Sequence, residues 1–398
     1  MCRGLFWGVV GLVFGLLACP TGAAVIPVNS AAFHFSPGNW SGDAGRGGSG
    51  FRRTWINGSY FSVYWTASTQ SPTATLLISN LTDGSAISYF LNGTLVDNVG
   101  VSASGGIPIT GAAPGANVLT VYLRNSQQVN RWSLQNAFKV EGLDVDDASI
   151  PGTAPTWNGR WIVEIGDSIT EGIQADEDGR DDNLADYSFL CGQAYQEQGF
   201  DYGLSACGYS GWVRPGDGQG DVPGYYVVTG SVDGDGGQYD PSSRWDKIDS
   251  LTSLLDADGH ISAYGEPDTE PSAIFINYGA NECLHGSPVS DVEASIRQCL
   301  PVLRKAAPRS IIFVTIPPGM YSAAVYANGL RYIAAIKAGI DDYRRAHKDD
   351  RLVVIDLGPE AANALASTRY GGGVHPRAAG HAYLASRIES IVLARLRK

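Results

Sequence analysis

From about residue 25 to 150 short runs alternate apolar and polar positions between turn residues, as in Tyr60 to Thr66, Ala74 to Ser79, Ile87 to Leu91, Asn117 to Arg124 and Ala137 to Val145. That period of two predicts antiparallel strands with one buried face. In the last run the apolar set changes phase at Gly142, from Phe138 and Val140 to Leu143 and Val145, which predicts a β-bulge. Asn92-Gly93 between two strand-like runs predicts a tight hairpin. With no long amphipathic helix in this stretch, an all-β sandwich or jelly roll is expected.

After Ile150-Pro151-Gly152-Thr153-Ala154-Pro155 the period changes. Trp161 to Ile165, Tyr202 to Ser205, Ala273 to Tyr278, Ile311 to Ile316 and Leu352 to Ile355 are short, strongly apolar runs, as strands buried on both faces require. Helical patterns fall near 184–198, 245–256, 290–306, 323–346 and 378–396, and Ser290 with Glu293 has the spacing of a capping box. Alternating units of this kind predict a doubly wound parallel sheet, with its site at the carboxyl ends of the strands. Residues 213–244 interrupt the order with a Gly/Asp/Pro-rich stretch, a loop long enough to be functional or mobile. The expected organisation is a β-sandwich over 25–150, a linker over 151–159 and an α/β domain over 160–398.

The first residues place Arg3 before an apolar run from Leu5 to Ala18, then Pro20, Gly22, Ala23 and Ala24. This pattern predicts a secretory signal over residues 1–24, cleaved after Ala23 or Ala24, and hence a secreted, extracellular protein. The run is shorter than the roughly 20 residues that span a bilayer. Cys2 and Cys19 fall inside this leader, leaving Cys191, Cys207, Cys283 and Cys299 for an oxidising compartment. Three pairings are open, and the short loops favour Cys191 with Cys207 and Cys283 with Cys299. Sequons at Asn39, Asn57, Asn80 and Asn92 predict glycosylation of the N-terminal part. The net charge of −12 argues against nucleic acid or an anionic membrane as partner, since either needs a basic footprint.

The chemistry sits at the predicted strand ends. Gly166-Asp167-Ser168-Ile169-Thr170 places a serine where a buried strand turns toward a helix, so that its hydroxyl is accessible and its own N–H can face an oxyanion. A helix cap or turn built from Asp, Ser and Thr is the plainer explanation of that fragment alone. The second strand runs into Gly208-Tyr209-Ser210-Gly211-Trp212, where Gly211 can offer a backbone N–H, and the third into Gly279-Ala280-Asn281-Glu282, where Asn281 can aim its amide across the same edge. After the last strand comes Val374-His375-Pro376. Asp176, Glu177, Asp178, Asp181 and Asp182 form an acidic run whose spacing lacks the glycine and terminal Glu of a calcium loop, so a solvated loop is expected and no metal. Trp212 is a candidate to stack on a sugar face, against the alternative of core packing.

Taken together these fragments resemble the SGNH (GDSL) hydrolase family over residues 160–398. The resemblance implies a flavodoxin-like doubly wound sheet and a carboxylic ester hydrolase without cofactor. It implies that Ser168 is the nucleophile, that Ser168, Gly211 and Asn281 form the oxyanion hole, and that His375 is the general base. Glu282 stands where the family more often has Asp. Where the family's triad acid is found, three residues before the histidine, this chain has Gly372. Replacements for that acid are a backbone carbonyl, the favoured choice because no carboxylate sits at the motif position, or Asp356 or Glu360 after the last strand.

A β-sandwich followed by such a domain resembles carbohydrate esterase family two, the acetyl esterases of plant cell-wall polysaccharides. That likeness implies removal of small acyl groups, acetyl foremost, from an acetylated polysaccharide or oligosaccharide. If the sandwich serves to present the polymer, a chain without residues 25–150 should still hydrolyse a small aryl ester; if the remainder fails to fold, the two halves share a core. The alternatives are a lipid or general short-chain esterase of the same fold and, from another class, a non-catalytic carbohydrate-binding protein with a decayed hydrolase domain.

Overall fold

The computed structural model describes residues 24–397 apart from 43–49, 80, 82–84, 101–103, 129–130, 132–135, 147, 158, 215, 217–247, 250–251, 257, 263–268 and 365–372. The expected leader up to Ala23, the sequon at Asn80, Gly372 and most of the Gly/Asp/Pro-rich stretch lie outside the described residues.

Among the described residues eleven strands build the N-terminal part: β1 (Ala24–Pro27), β2 (Phe33–Phe35), β3 (Arg52–Thr54), β4 (Tyr60–Ala67), β5 (Ala74–Ser79), β6 (Ala86–Leu91), β7 (Thr94–Gly100), β8 (Ser104–Ile109), β9 (Gly115–Asn125), β10 (Phe138–Val145) and β11 (Ile150–Pro151). They form two antiparallel sheets, one in the order β1-β10-β5-β8 with β3 on β10, the other β11-β4-β9-β6-β7 with β2 on β4. Inward positions of both, such as Phe61, Val63, Leu119 and Val121 from one and Leu76, Ile78, Val140 and Leu143 from the other, share one apolar core. The register of β10 against β5 slips between Val140 and Gly142, where the phase change predicts a bulge. Gly142 runs so close to β1 that a Cβ would meet the Ile26 carbonyl oxygen at 2.8 Å. In the β6–β7 hairpin Asn92 (φ 51°) and Gly93 (φ 82°) both take left-handed backbone, as a two-residue turn of that sequence requires.

The second part is a parallel sheet of β12 (Trp161–Gly166), β13 (Asp201–Ala206), β14 (Ala273–Asn277), β15 (Ile311–Ile316) and β16 (Leu352–Asp356) in the order β13-β12-β14-β15-β16. Its helices are α1 (Ser168–Glu171), α2 (Tyr187–Glu197), α3 (Ala280–His285), α4 (Val289–Ala306), α5 (Gly329–His347), α6 (Gly358–Ala364) and α7 (Ala378–Leu396). α2 packs on α7, and α4 on α5. Because β13 and β14 leave β12 on opposite sides, the strand order reverses beside β12, and the crevice opens at the carboxyl ends there.

Three local expectations fail. Residues 245–256 are not helical where described; Asp249 and Asp256 accept from the backbone N–H groups of Thr252 (2.8 Å) and His260 (2.9 Å), closing turns that compete with a helix. α4 begins at Val289 after Pro288, so Ser290 is already helical and caps nothing. α5 starts at Gly329, because Pro318–Tyr321 forms a short 3₁₀ turn first.

The sandwich is not a loosely tethered module. Outward-facing Tyr60 and Tyr122 belong to the same buried cluster as the parallel sheet, together with Trp55 and Ile56. The Tyr122 ring meets Phe189 of α2 edge-on at 5.3 Å, Gln196 Nε2 donates to Tyr60 Oη at 2.7 Å, and the Tyr60 hydroxyl donates to Asp201. The second antiparallel sheet is therefore covered on both faces, one by its partner sheet and the other by the α/β part.

The expected disulfides do not form: none of Cys191, Cys207, Cys283 and Cys299 is in a disulfide. Cys191 Sγ turns to the Ala385 carbonyl of α7 at 3.8 Å, whereas Cys207 Sγ lies 4.0 Å from Arg131 of the sandwich. Short loops in sequence did not bring these thiols face to face. Two sequons are corrected as well. Asn39 is buried and shares a 2.7 Å hydrogen bond with Ser36 Oγ, and Asn57 is buried with its amide on Glu171, so neither can carry a glycan in the folded chain. Asn92 is exposed at its hairpin turn.

Candidate active site

Ser168 stands at the first turn after β12. Gly166, the last residue of that strand, allows Thr170 to fold back over it, since a Cβ there would lie 1.9 Å from Thr170 Oγ1. Asp167 caps α1 by accepting from Ile169 N at 2.9 Å. Its buried carboxyl is pushed up to about 8 by desolvation first and by Glu282 and Glu171 nearby. Asp167 is thus a structural cap and has no contact with the imidazole.

His375 comes to this serine from the loop before α7. Its Nε2 lies 2.8 Å from Ser168 Oγ, and its Nδ1 lies 3.3 Å from Oε1 of Gln174. An amide oxygen only accepts, so Nδ1 carries the hydrogen and Nε2 presents its lone pair to the hydroxyl. Burial lowers the pKa of the half-buried imidazole to about 4, with the Glu171 carboxylate opposing and the Arg377 guanidinium adding to the effect.

Among the described residues the acceptor on Nδ1 is Gln174, neither of the acids considered from sequence nor the favoured backbone carbonyl. Asp356 is held by the Tyr321 hydroxyl at 2.9 and 2.8 Å and by Lys337 Nζ at 2.5 Å, and Glu360 is exposed on α6. Sequence reasoning missed Gln174, which lies outside every motif; its one signal is that the residue sits six positions after Ser168, on the loop that the first block must enter.

Asn281 and Gly211 lie at the same edge. The buried Asn281 amide donates to the Ser210 carbonyl at 2.9 Å, which fixes its side chain between the second and third strand ends. The Gly211 N–H donates to the Arg214 carbonyl at 3.2 Å, closing the turn that follows. Glu282 braces this turn from α3: its Oε1 accepts from Val213 N at 3.0 Å, and a Cβ at position 211 would meet the same oxygen at 2.0 Å. That close approach explains the glycine. It also gives Glu282 a supporting role that the motif comparison did not suggest.

Trp212 does not serve a sugar in this arrangement. It is 0% exposed, with its ring edge-on to Tyr278 at 5.8 Å, so it is a core residue. The acidic run is used internally: Asp181 accepts from Gln174 N at 2.9 Å, Asp182 pairs with Arg124 at 2.6 Å, and Asp178 pairs with Arg180. Among the described residues no cluster of ligand side chains fits a metal, and no helix is long and apolar enough to cross a membrane.

The sequence profile described as GDSL-like Lipase/Acylhydrolase matches residues 162–388. None of the curated protein sequences is significantly similar to the chain. Among solved structures, a family two carbohydrate esterase from Clostridium thermocellum in complex with cellohexaose superposes with a TM-score of 0.66 at 16% identity, over 92% of this chain and 99% of its own. The acetyl xylan esterase Est2A from the rumen bacterium Butyrivibrio proteoclasticus gives a TM-score of 0.66 at 16% identity, over 94% and 99%. The salicylyl-acyltransferase SsfX3 from a tetracycline biosynthetic pathway gives 0.55 at 14%, over 93% and 98%. At these identities the likeness is one of fold, and it takes in the sandwich as well as the parallel sheet. With the profile covering the motif-bearing domain, the chain belongs to the GDSL-like lipase/acylhydrolase family and is a carboxylic ester hydrolase.

Proposed function

We propose that this chain is a secreted serine esterase that removes small acyl groups, acetyl above all, from plant cell-wall polysaccharide or oligosaccharide. The observation that carries the reading is the 2.8 Å contact of Ser168 Oγ with His375 Nε2 at the carboxyl edge of the sheet. His375 Nε2 takes the hydroxyl proton as Oγ adds to the ester carbonyl. The oxyanion is met by the Asn281 amide and the backbone N–H groups of Ser168 and Gly211, for which Gly211 exchanges its bond to Arg214. Collapse of the adduct breaks the bond to the alkoxy oxygen, which receives the proton from His375 and departs as the alcohol. Water then adds to the acyl-Ser168 with the same proton transfers, releasing the carboxylic acid and restoring the serine.

A sugar substrate is supported by the carbohydrate esterases that share the whole fold. Export is supported by the Arg3 and Leu5 to Ala18 leader. Acetate release measured on acetylated xylan, acetylated glucomannan and a short-chain triglyceride tests the substrate. A higher kcat/KM on either polysaccharide supports the reading, and a preference for the triglyceride replaces it with a lipid esterase. Binding of the polysaccharides with no turnover of any ester makes the protein a non-catalytic carbohydrate binder. N-terminal sequencing of the exported protein tests the leader, with a mature start at Ala24 or Val25 expected.

A further inference from the structure

We infer that Gln174 replaces the missing carboxylate of the triad, acting as the positioning residue that holds His375 in the reactive tautomer. The inference rests on the Ser168–His375 reading above and concerns what makes that pair work with Gly372 at the family's acid position.

Three observations converge on this side chain. Gln174 Oε1 is 3.3 Å from His375 Nδ1, the nitrogen that faces away from Ser168. The backbone of Gln174 is pinned at both ends, its N–H donating to Asp181 Oδ1 at 2.9 Å and its carbonyl accepting from Arg377 Nη1 at 3.2 Å. Arg377 is two residues past His375, so one guanidinium ties the loop that carries the amide to the loop that carries the imidazole. Gln174 also has φ 56°, a left-handed conformation uncommon for a residue with a long side chain. The surroundings hold it there: Gly172 caps α1 with φ 84°, and Gly179 packs where a Cβ would strike Arg377 Nη1 at 2.0 Å.

An amide oxygen does half of what an acid does. It accepts from Nδ1–H and so selects the tautomer with a free Nε2 lone pair, but it brings no full charge to stabilise the imidazolium. Among the described residues, the ionisable groups that act on the ring are Glu171 of α1, Arg377 after the histidine and His381 on α7. Of these only Glu171 favours the cation.

The test compares Gln174→Met, Gln174→Glu and Ser168→Ala in the full-length protein with p-nitrophenyl acetate. Gln174→Met keeps the length and removes the acceptor. It is expected to lower kcat by about 10- to 100-fold, less than the roughly 10⁴-fold of disabling a true triad acid, with KM within about twofold. Gln174→Glu restores the acceptor and adds charge, so kcat is retained and the acid limb of kcat/KM moves up by about 1 to 3 pH units. A Gln174→Met kcat within about twofold of wild type, or an unmoved acid limb in Gln174→Glu, overturns the inference. Inactive Ser168→Ala beside an unaffected Gln174→Met sinks this inference alone, whereas active Ser168→Ala sinks the mechanism beneath it.

Discussion

Arg131 of the sandwich and Glu171 of α1 form an ion pair in which neither side chain has any solvent exposure. Glu171 lies three residues after Ser168, and its second oxygen accepts from Gly208 N at 2.7 Å, on the loop that leads to Gly211. Asn57 of the sandwich reaches the same carboxylate at 3.2 Å. The N-terminal sheets thus satisfy a charge buried directly beneath the reacting groups.

Removing one partner of a buried pair leaves an uncompensated charge, a loss of about 3–5 kcal/mol. Arg131→Met is therefore expected to destabilise the chain by about that amount in urea unfolding, and Arg131→Met with Glu171→Gln to recover most of it. Equal stability of the single and double variants would mean that the pair is not what ties the two parts together. A chain lacking residues 25–150 would bare Glu171 and the Phe189 and Tyr202 rings that Tyr122 and Tyr60 cover, and is expected not to fold cooperatively.

Asn281 is held by the Ser210 carbonyl with its amide at the mouth of the site. If its donor serves the transition-state oxyanion, Asn281→Ala loses about 10²- to 10³-fold in kcat while KM changes little. Steady-state kinetics on an aryl acetate decide this, and a change confined to KM would make Asn281 a substrate-binding residue.

The general base must be neutral to act, and His375 is lowered to about 4 chiefly by burial. The free enzyme then keeps its base as pH falls below the ordinary histidine range, and the acid limb of kcat/KM has its midpoint near 4 rather than near 6.5. A pH profile under conditions where the fold is intact measures it. A midpoint near the ordinary histidine value would place the imidazole in a more solvated or more negative setting than the structure has.

Glu164 lies in the middle of β12, fully buried, with burial pushing its carboxyl up to about 8 and Tyr195 opposing the shift. A group whose folded pKa is raised stabilises fully below its unfolded value and loses that contribution as pH rises through the folded one. Between about pH 4.5 and 8 wild type therefore loses stability that Glu164→Gln does not. The variant is expected to match wild type in Tm near pH 5 and to exceed it near pH 9. Equal Tm differences at both pH values would refute the raised pKa.

Much of this site was legible in the sequence because residue type and strand position go together in it. Ser168, Gly211 and Asn281 each follow an apolar run that can only be a buried strand, and His375 precedes the last amphipathic helix, so the topology brings all four to one edge. The bulge at Gly142 was legible for a similar reason, since a period of two cannot change phase without an extra residue. What was not legible depends on long-range geometry. Gln174 acts because a left-handed turn and Arg377 aim it, and no local pattern encodes that. The Asn57 sequon and the paired cysteine spacings have the look of surface and redox features, yet Asn57 is spent on Glu171 and none of the four cysteines is in a disulfide. Trp212 looked like a platform only because its neighbour is the turn glycine; burial against Tyr278 decided otherwise.

The central claim is that Ser168 carries the acyl group and His375 its proton. The most direct measurement is kcat of Ser168→Ala and His375→Ala on p-nitrophenyl acetate, with intact unfolding transitions as control. Each is expected to fall by at least about 10³-fold, with no acyl adduct trapped on the serine variant by rapid quench and mass spectrometry. Turnover of Ser168→Ala near that of wild type would place the nucleophile elsewhere and contradict the account.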